Sequence, residues 1–280
     1  MAEFYQIRND ITISDSCLCF VDRESEVLEI GSGSGNLTKY MKDELQCKVT
    51  CIERSPEMAE AGKAHAYQMI VADVETDQWE NSIDKKFDCI MLADVLEHLR
   101  NPAALIKRLS AFLKQNGIMI TSIPNIGHNA IILGLKDGKF EYRETGLLDN
   151  THVHFMTRKS IRSLFEDNGF FLQNEESKQI RPCDTEFEYY YCQNPIMSLS
   201  LIHRPDAHIY RYIQQWGLQK NAYKEKALKL TLYRRIYELT YDFFCYIKRK
   251  SKLKTPRLFY RIFQSHDDLR EKKRYDKYNS

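Results

Sequence analysis

Apolar and polar positions alternate along most of the chain in a way that predicts strands followed by helices. Short apolar runs of buried-strand type are separated by segments with helical periodicity, which is typical of an α/β fold with a mostly parallel sheet and helices on both faces. Asn101 and Pro102 are expected to start the third helix, and Gly117 to follow its end. The predicted strands lie near 26–30, 48–53, 68–72, 87–92 and 117–122, and the helices near 35–45, 56–63, 102–115 and 158–169.

The first strand runs directly into a glycine-rich turn, Gly31-x-Gly33-x-Gly35, and the second ends at the carboxylate of Glu53. Glycines let the backbone approach a ligand closely and adopt positive φ. A carboxylate at the end of the second strand can accept from both ribose hydroxyls. The order strand, glycine turn, helix, strand and acid therefore predicts a nucleoside-binding unit. The spacing differs from G-x-G-x-x-G, which disfavours NAD and FAD, and no phosphate-binding G-x-x-x-x-G-K-[ST] motif is present.

Four motifs in sequence order carry a family resemblance: LEIGSGSGNLT, DVLEHLRNP, IPN and GLLDNTHVHFMT. With them, the chain resembles the class I S-adenosylmethionine-dependent methyltransferases over roughly residues 25–175. The resemblance implies a Rossmann-like seven-stranded sheet. Its last two strands, near 170–172 and 209–213, would pair antiparallel at the sheet edge.

The resemblance also implies a set of residues around S-adenosyl-L-methionine. Glu29 is expected near the amino group of the methionine part, Glu53 at the ribose hydroxyls, and Asp73 at the adenine amino group. A solvated strand-end carboxylate is the structural alternative for Glu53 and Asp73. The remaining members are Gly31, Ser32 and Gly33 at the methionine end, Arg54 and Val74 beside the adenine, and Ala93 and Asp94 over the cofactor.

Histidine is the first candidate for a base at the methyl group, because its reference pKa lies near neutrality. His98 follows the fourth strand, and His152 and His154 lie in an extended segment next to Asp149, which could orient an imidazole. Packing or fixing this segment is the structural alternative for the histidines. No metal is expected, because Asp149, His152 and His154 lack a diagnostic ligand spacing. The connection at about 124–156 is long enough to suggest a substrate-side lid.

Charge divides the chain into an acidic body and a basic extension. Residues 219–280 hold 18 Lys or Arg and 7 Asp or Glu, a net of +11, whereas the rest holds 23 basic and 32 acidic residues, a net of −9. We therefore predict a methyltransferase domain at 1–218 and a basic amphipathic helical extension at 219–280. The extension could pack on its own domain or on a second subunit, lie on an anionic membrane surface, or bind nucleic acid, which is the least favoured.

The compartment is predicted from composition, and the substrate from the family analogy. Scattered cysteines, no signal peptide pattern and no apolar run of about 18 residues predict a cytoplasmic protein, with peripheral membrane association if the extension binds lipid. The family analogy favours a hydroxyl, or an amine, of a glycan or small molecule as acceptor, in surface polysaccharide or secondary metabolite biosynthesis. The alternatives are a catalytically silent cofactor-binding module and a methyltransferase that acts on nucleic acid or protein through the extension. An NAD-linked oxidoreductase is disfavoured by the glycine spacing.

Overall fold

The computed structural model describes residues 17–187 and 206–220, together with Leu201 and Arg204. The predicted basic extension therefore lies almost entirely outside the described residues. The strands are β1 (Glu26–Ile30), β2 (Lys48–Glu53), β3 (Gln68–Val71), β4 (Phe87–Ala93), β5 (Leu113–Pro124), β6 (Phe171–Gln179) and β7 (Ile209–Gly217). The described helices are α1 (Asn36–Asp43), α2 (Pro56–Gly62), α3 (Pro102–Ser110), α4 (Asn129–Lys136) and α5 (Arg158–Glu166), and a short 3₁₀ helix spans Leu96–His98.

The strands form one seven-stranded sheet in the order β3-β2-β1-β4-β5-β7-β6. β7 runs antiparallel to both of its neighbours, and the other pairings are parallel. This confirms the predicted Rossmann-like fold. The strand order reverses between β1 and β4, and ligands of such sheets bind at the carboxyl ends of the strands at this switch point.

The central strands are buried on both faces, as expected of strands with helices on either side. In β1, Val27, Leu28 and Ile30 are at most 1% exposed. Cys51 of β2 and Cys89 of β4 are also buried. Burial, reinforced by the nearby Glu29 carboxylate, raises the pKa of the Cys51 thiol to about 12, so this residue remains a neutral core side chain.

Two predicted helix starts are confirmed by their capping hydrogen bonds. The Asn101 side chain accepts from Ala104 N at 3.1 Å, and Pro102 takes the first helical position of α3. Thr157 begins α5 with a capping box, in which its side chain and that of Ser160 each accept from the other's backbone N–H. Within the described residues, no helix is long and apolar enough to cross a membrane.

The predicted end of the third helix is wrong. α3 ends at Ser110, and the chain has joined the sheet by Phe112, whose carbonyl accepts from Phe87 N at 2.8 Å. Gly117 therefore lies inside β5 rather than after a helix. A Cβ on Gly117 would lie 2.9 Å from the Phe87 carbonyl oxygen, so glycine allows the two strands to approach closely where their register shifts.

Packing divides the chain into two compact units, one of residues 1–128, 140–180 and 208–227 and the other of 129–139, 181–207 and 228–280. The first unit contains the whole sheet. In the second, the buried Asn129 side chain donates to Leu201 O at 3.2 Å and accepts from Arg204 at 3.1 Å. The expected lid segment contains α4, which was not predicted from the sequence. The boundary proposed at residue 218 stays a prediction.

Candidate functional site

The predicted cofactor residues converge at the carboxyl edge of β1, β2 and β4. Ile30, the last residue of β1, pairs with Ile52 on one side and with Leu92 on the other. Strand pairing therefore brings Gly31, Glu53 and Ala93 to the same edge. Gly31 N also donates to Ile52 O at 2.8 Å, which ties the start of the glycine turn to β2.

Gly33 and Gly35 of the glycine turn have positive φ, a backbone conformation that only glycine adopts easily. Gly35 has φ +82° and caps α1, and a Cβ there would lie 2.9 Å from the Cα of Gly62 in α2. Gly33 has φ +54°, and a Cβ there would meet nothing within 4 Å. The turn thus packs tightly against α2 at one end and leaves open space over Gly33. Ser32, between Gly31 and Gly33, is buried.

Glu53 holds the glycine turn as well as the following helix start. Its Oε2 accepts from Gly33 N at 2.8 Å, and its Oε1 accepts from Ser55 N at 2.8 Å. Both are hydrogen bonds to a charged acceptor, which are stronger than neutral ones. Each carboxylate oxygen retains a further lone pair. Glu53 can therefore position the turn and still accept from two ligand hydroxyls.

Glu29 is buried beside α1. Only 2% of the residue is exposed, and its Oε2 accepts from the hydroxyl of Thr38 at 2.6 Å. Burial raises the pKa of Glu29 to about 7, although the hydrogen bond from Thr38 opposes this shift. Its expected contact with the amino group of the cofactor stays a prediction.

The residues expected around the adenine lie at the end of β3 and just after β2. Asp73 Oδ1 accepts from Glu75 N at 2.9 Å and so forms the turn that follows β3. Val74 is almost buried, whereas Arg54 is exposed. The apolar side chain of Val74 and the carboxylate of Asp73 therefore lie next to each other where β3 ends.

Asp94, which follows β4, has φ +55° and is held by a buried arginine from β7. Arg211 Nη1 lies 2.8 and 2.6 Å from the two carboxylate oxygens of Asp94, and it also donates to Ser122 Oγ at 3.1 Å. Burial disfavours the charge of Arg211, but the attraction and hydrogen bonds of Asp94 outweigh it, and the pKa of the guanidinium is raised. The pair fixes the chain where it leaves β4.

The turn after Asp94 brings together Glu97, His98 and His152. One side-chain ligand atom from each residue lies within 4.8 Å of the other two, and the ring centroids of His98 and His152 are 4.8 Å apart. The carbonyl of Glu97 accepts from Val153 N at 2.9 Å and from His154 N at 3.0 Å. These bonds fasten the segment that carries His152 to the turn that carries His98.

A hydrogen-bonded relay fixes the imidazole of His98. Thr151 Oγ1 donates to Asp149 Oδ1 at 2.6 Å, because a carboxylate only accepts. His98 Nδ1 lies 3.1 Å from the same hydroxyl oxygen and 3.3 Å from the Thr151 carbonyl, both of which are then acceptors. Nδ1 therefore carries the proton, and Nε2 has the free lone pair. Asp149 acts on His98 through Thr151.

Glu97 and His152 are both buried at this cluster. Glu97 is 1% exposed, and burial followed by repulsion from Asp94 raises its pKa well above the usual value. Burial and the neighbouring His98 lower the pKa of His152, which favours its neutral form.

His154 is placed apart from the other histidines of the predicted site. Its Nε2 lies 3.2 Å from the carbonyl oxygen of Arg100, to which it donates. His154 therefore fastens the segment to the chain after the Leu96–His98 turn. Three exposed or half-buried aromatic rings, Phe140, Tyr142 and Phe155, pack on one another, and Phe155 lies with its ring centroid 6.1 Å from that of His152.

A family model described as "Methyltransferase domain" matches residues 14–174, which is more than half of the chain. The chain belongs to this methyltransferase family. Among curated proteins, it is similar to the ubiquinone biosynthesis O-methyltransferase of Xanthomonas campestris, with 28% identity over 108 residues. This match covers 36% of the chain and 44% of the length of that relative.

Solved methyltransferase structures share the fold. A SAM-dependent methyltransferase of Thermotoga maritima superposes with a TM-score of 0.51 at 14% identity, covering 75% of this chain and 88% of that one. The magnesium protoporphyrin IX methyltransferase of Synechocystis with bound SAH gives 0.50 at 16% identity, covering 75% and 81%. At these identities the likeness concerns the fold.

The residues at this sheet edge fit S-adenosyl-L-methionine. The open space over Gly33 admits a ligand close to the backbone, and the half-buried Glu53 has lone pairs that can accept from ligand hydroxyls at the same edge. Asp73 and Val74 offer an acceptor and an apolar surface where an adenine would lie. The cofactor would supply an electrophilic methyl group on a sulfonium.

Glu97 and Arg211 were missed as functional residues in the sequence. Glu97 precedes His98 in the motif DVLEHLRNP. A carboxylate next to a histidine directly after a strand was the signal in the sequence that could have indicated its role. Arg211 stands between two tyrosines in a strand that has no other charged residue, which indicates a buried partner. That this partner is Asp94, 117 residues earlier, is a property of the sheet order.

Proposed function

We propose that the protein is an S-adenosyl-L-methionine-dependent methyltransferase that methylates a hydroxyl group of a small molecule. The observation that carries this proposal is the Glu53 carboxylate, which bonds to the glycine turn at the switch point and has lone pairs left for a ribose. The family match to residues 14–174 supports the same activity.

A hydroxyl acceptor is favoured by the basic groups beyond β4. His98 presents Nε2 with its lone pair, because the relay through Thr151 to Asp149 keeps the proton on Nδ1. His152, whose pKa is lowered by burial and by the neighbouring His98, stands beside it. This cluster can take up the proton that a hydroxyl loses when its oxygen bonds to a methyl group. With a bound sulfonium donor, the C–S bond would break as the C–O bond forms, and its electron pair would pass to sulfur.

An acceptor with an aromatic or other planar apolar part is favoured by Phe140, Tyr142 and Phe155. Tyr142 is 57% and Phe140 39% exposed, which leaves ring surface available for stacking next to His152. The similarity to ubiquinone biosynthesis O-methyltransferases agrees with a small-molecule acceptor. A glycan hydroxyl and an amine remain as the alternatives that the sequence raised.

Transfer of label from methyl-labelled S-adenosyl-L-methionine tests the proposal. The purified protein is incubated with separate panels of phenols, sugars and amines, and the products are identified by mass spectrometry. We expect label on a hydroxyl, most strongly among the phenols. Cofactor binding without transfer to any panel would support a silent module instead.

A pair of histidine variants separates chemistry from cofactor binding. We expect His152→Asn to lower kcat while calorimetry shows unchanged affinity for S-adenosylhomocysteine, because His152 lies on the acceptor side. His65→Asn changes a histidine between α2 and β3 and serves as the matched control. Unchanged kcat in His152→Asn would contradict the assigned role of the cluster.

A further inference from the structure

Glu97, His98 and His152 combine the donor atoms of a metal site in one place. One carboxylate and two imidazoles, with their ligand atoms within 4.8 Å of one another, are a set that divalent transition metals prefer. A Zn²⁺ ligand lies at about 2.0–2.2 Å from the ion, so the side chains need to close by roughly one ångström. Rotations of the three side chains supply a movement of this size.

The Glu97 carboxylate points to a missing partner. Both of its oxygens are fully buried, and neither has a hydrogen-bond partner among the residues that the structure describes. A buried carboxyl group without any partner is costly. Arg211 also acts on Glu97, but its Nη1 is committed to Asp94 and Ser122. A bound cation would satisfy both oxygens.

Both histidines are prepared to act as ligands. The relay from Asp149 through Thr151 holds the proton on Nδ1 of His98 and leaves Nε2 to bind. A carboxylate-linked partner on the second ring nitrogen is the usual support of a metal-binding histidine. His152 has a hydrogen bond to the backbone of Leu147, which leaves its other ring nitrogen to bind the metal ion.

We propose that Glu97, His98 and His152 bind a divalent transition-metal cation such as Zn²⁺, and that an open position on this ion takes the oxygen of the methyl acceptor. The second half of this inference rests on the proposed function, whereas metal binding itself does not. The site lies three residues beyond Asp94, at the end of β4 where the acceptor is expected.

The cation gives the cluster a defined part in the reaction. The acceptor oxygen bound to the ion loses its proton to solvent near neutral pH, because a divalent ion lowers the pKa of a bound hydroxyl. That oxygen then forms the new C–O bond while the C–S bond of the donor breaks and sulfur keeps the electron pair. The histidines are ligands in this scheme, and the ion replaces them as the group that activates the hydroxyl.

Metal binding is measured on the full chain after treatment with a chelator. Zn²⁺ is titrated in competition with a chromophoric chelator, and the stoichiometry is checked by elemental analysis. We expect one Zn²⁺ per chain, and Co²⁺ in the same site to give visible absorption of a nitrogen- and oxygen-ligated ion. No stoichiometric binding by the wild-type protein would overturn the proposal.

Variants locate the ion. We expect Glu97→Gln and His152→Asn to weaken Zn²⁺ binding by about 100-fold, and His154→Asn, on the same segment but bonded to Arg100, to retain the wild-type affinity. Equal affinity in all three variants would place the metal elsewhere and contradict the proposal. Thermal denaturation guards against misfolding: Glu97→Gln should be at least as stable as the metal-free wild type. Zn²⁺ should raise the melting temperature of the wild type and of His154→Asn, but not that of Glu97→Gln.

The outcomes for the metal and for the methyl donor are independent. A protein that binds S-adenosylhomocysteine and transfers methyl groups at full rate without metal would overturn the role of the ion in the reaction and leave the proposed function intact. A protein that binds Zn²⁺ through Glu97 but does not bind S-adenosylhomocysteine would support the metal site and contradict the proposed function.

Discussion

On the β1–β2 side of the sheet edge, Glu29 and Glu53 accept hydrogen bonds from the protein itself, whereas on the β4 side Glu97 has no such partner among the described residues. Glu53 bonds to two backbone N–H groups and Glu29 to the Thr38 hydroxyl. The first side is therefore organised before any ligand binds. The second side is incomplete in the protein alone.

This difference separates two tasks of a transferase. The cofactor side must bind the same molecule in every cycle, so a fixed turn and satisfied carboxylates avoid reorganisation. The acceptor side must activate a neutral group, which requires groups that still have unused lone pairs. Glu97, His98 and His152 are such groups.

Glu29→Gln tests how strongly burial acts on the cofactor side. The pKa of Glu29 is about 7 in the folded protein against a reference value of 4.5, so its contribution to stability is complete below pH 4.5 and is lost as the pH rises through 7. Glutamine does not titrate, so the variant does not lose stability in this pH range. We expect its free energy of unfolding, relative to wild type, to rise by about 3 kcal/mol between pH 4 and pH 8.

Urea denaturation of the cofactor-free protein at several pH values measures this change. The exposed Glu60→Gln is the control and should show a flat difference over the same range. A flat difference in Glu29→Gln as well would mean that Glu29 is solvated in the folded protein.

Asp94→Asn tests the ion pair on the β4 side. Asparagine tolerates the positive φ of this position, so the variant mainly removes the charge that partners the buried Arg211. We expect a loss of about 2 kcal/mol in the free energy of unfolding, because a buried charge without its partner is costly but Asp94 itself is partly exposed. Asp43→Asn, at an exposed pair with Lys39, is the control and should leave the free energy of unfolding unchanged.

Thr151→Val tests whether the relay supports the β4 cluster. The substitution keeps the volume of the side chain and removes the hydroxyl between His98 and Asp149. We expect Zn²⁺ affinity to fall by about 10-fold while the affinity for S-adenosylhomocysteine stays unchanged. A weaker affinity for S-adenosylhomocysteine would show that the acceptor side and the cofactor side of the sheet edge are coupled.

The cofactor side was more predictable from the sequence than the acceptor side. The glycine turn and Glu53 are encoded in short local patterns, because a strand, a turn and a second strand of a parallel sheet follow one another closely. The predicted end of the third helix was wrong. The helical pattern of the sequence continues beyond the point where the chain joins the sheet, at Phe112.

Long-range contacts account for what the sequence left open. The pairing of Arg211 with Asp94 depends on β7 entering the sheet antiparallel next to β5. The Glu97 carboxylate lacks a hydrogen-bond partner among the described residues because of its surroundings in the folded chain. No pattern of neighbouring residues in the sequence predicts those surroundings. The meeting of His98 with His152 follows from two backbone bonds to Glu97 O.

Calorimetric titration with S-adenosylhomocysteine tests whether Glu53 and the glycine turn form the cofactor site. Wild type is compared with Glu53→Ala and with the exposed control Glu60→Ala. We expect wild type and Glu60→Ala to bind alike and Glu53→Ala to bind about 100-fold more weakly, because it loses charge-assisted hydrogen bonds to the turn and to the ribose. Equal binding by all three proteins, or no binding by wild type, would contradict the account.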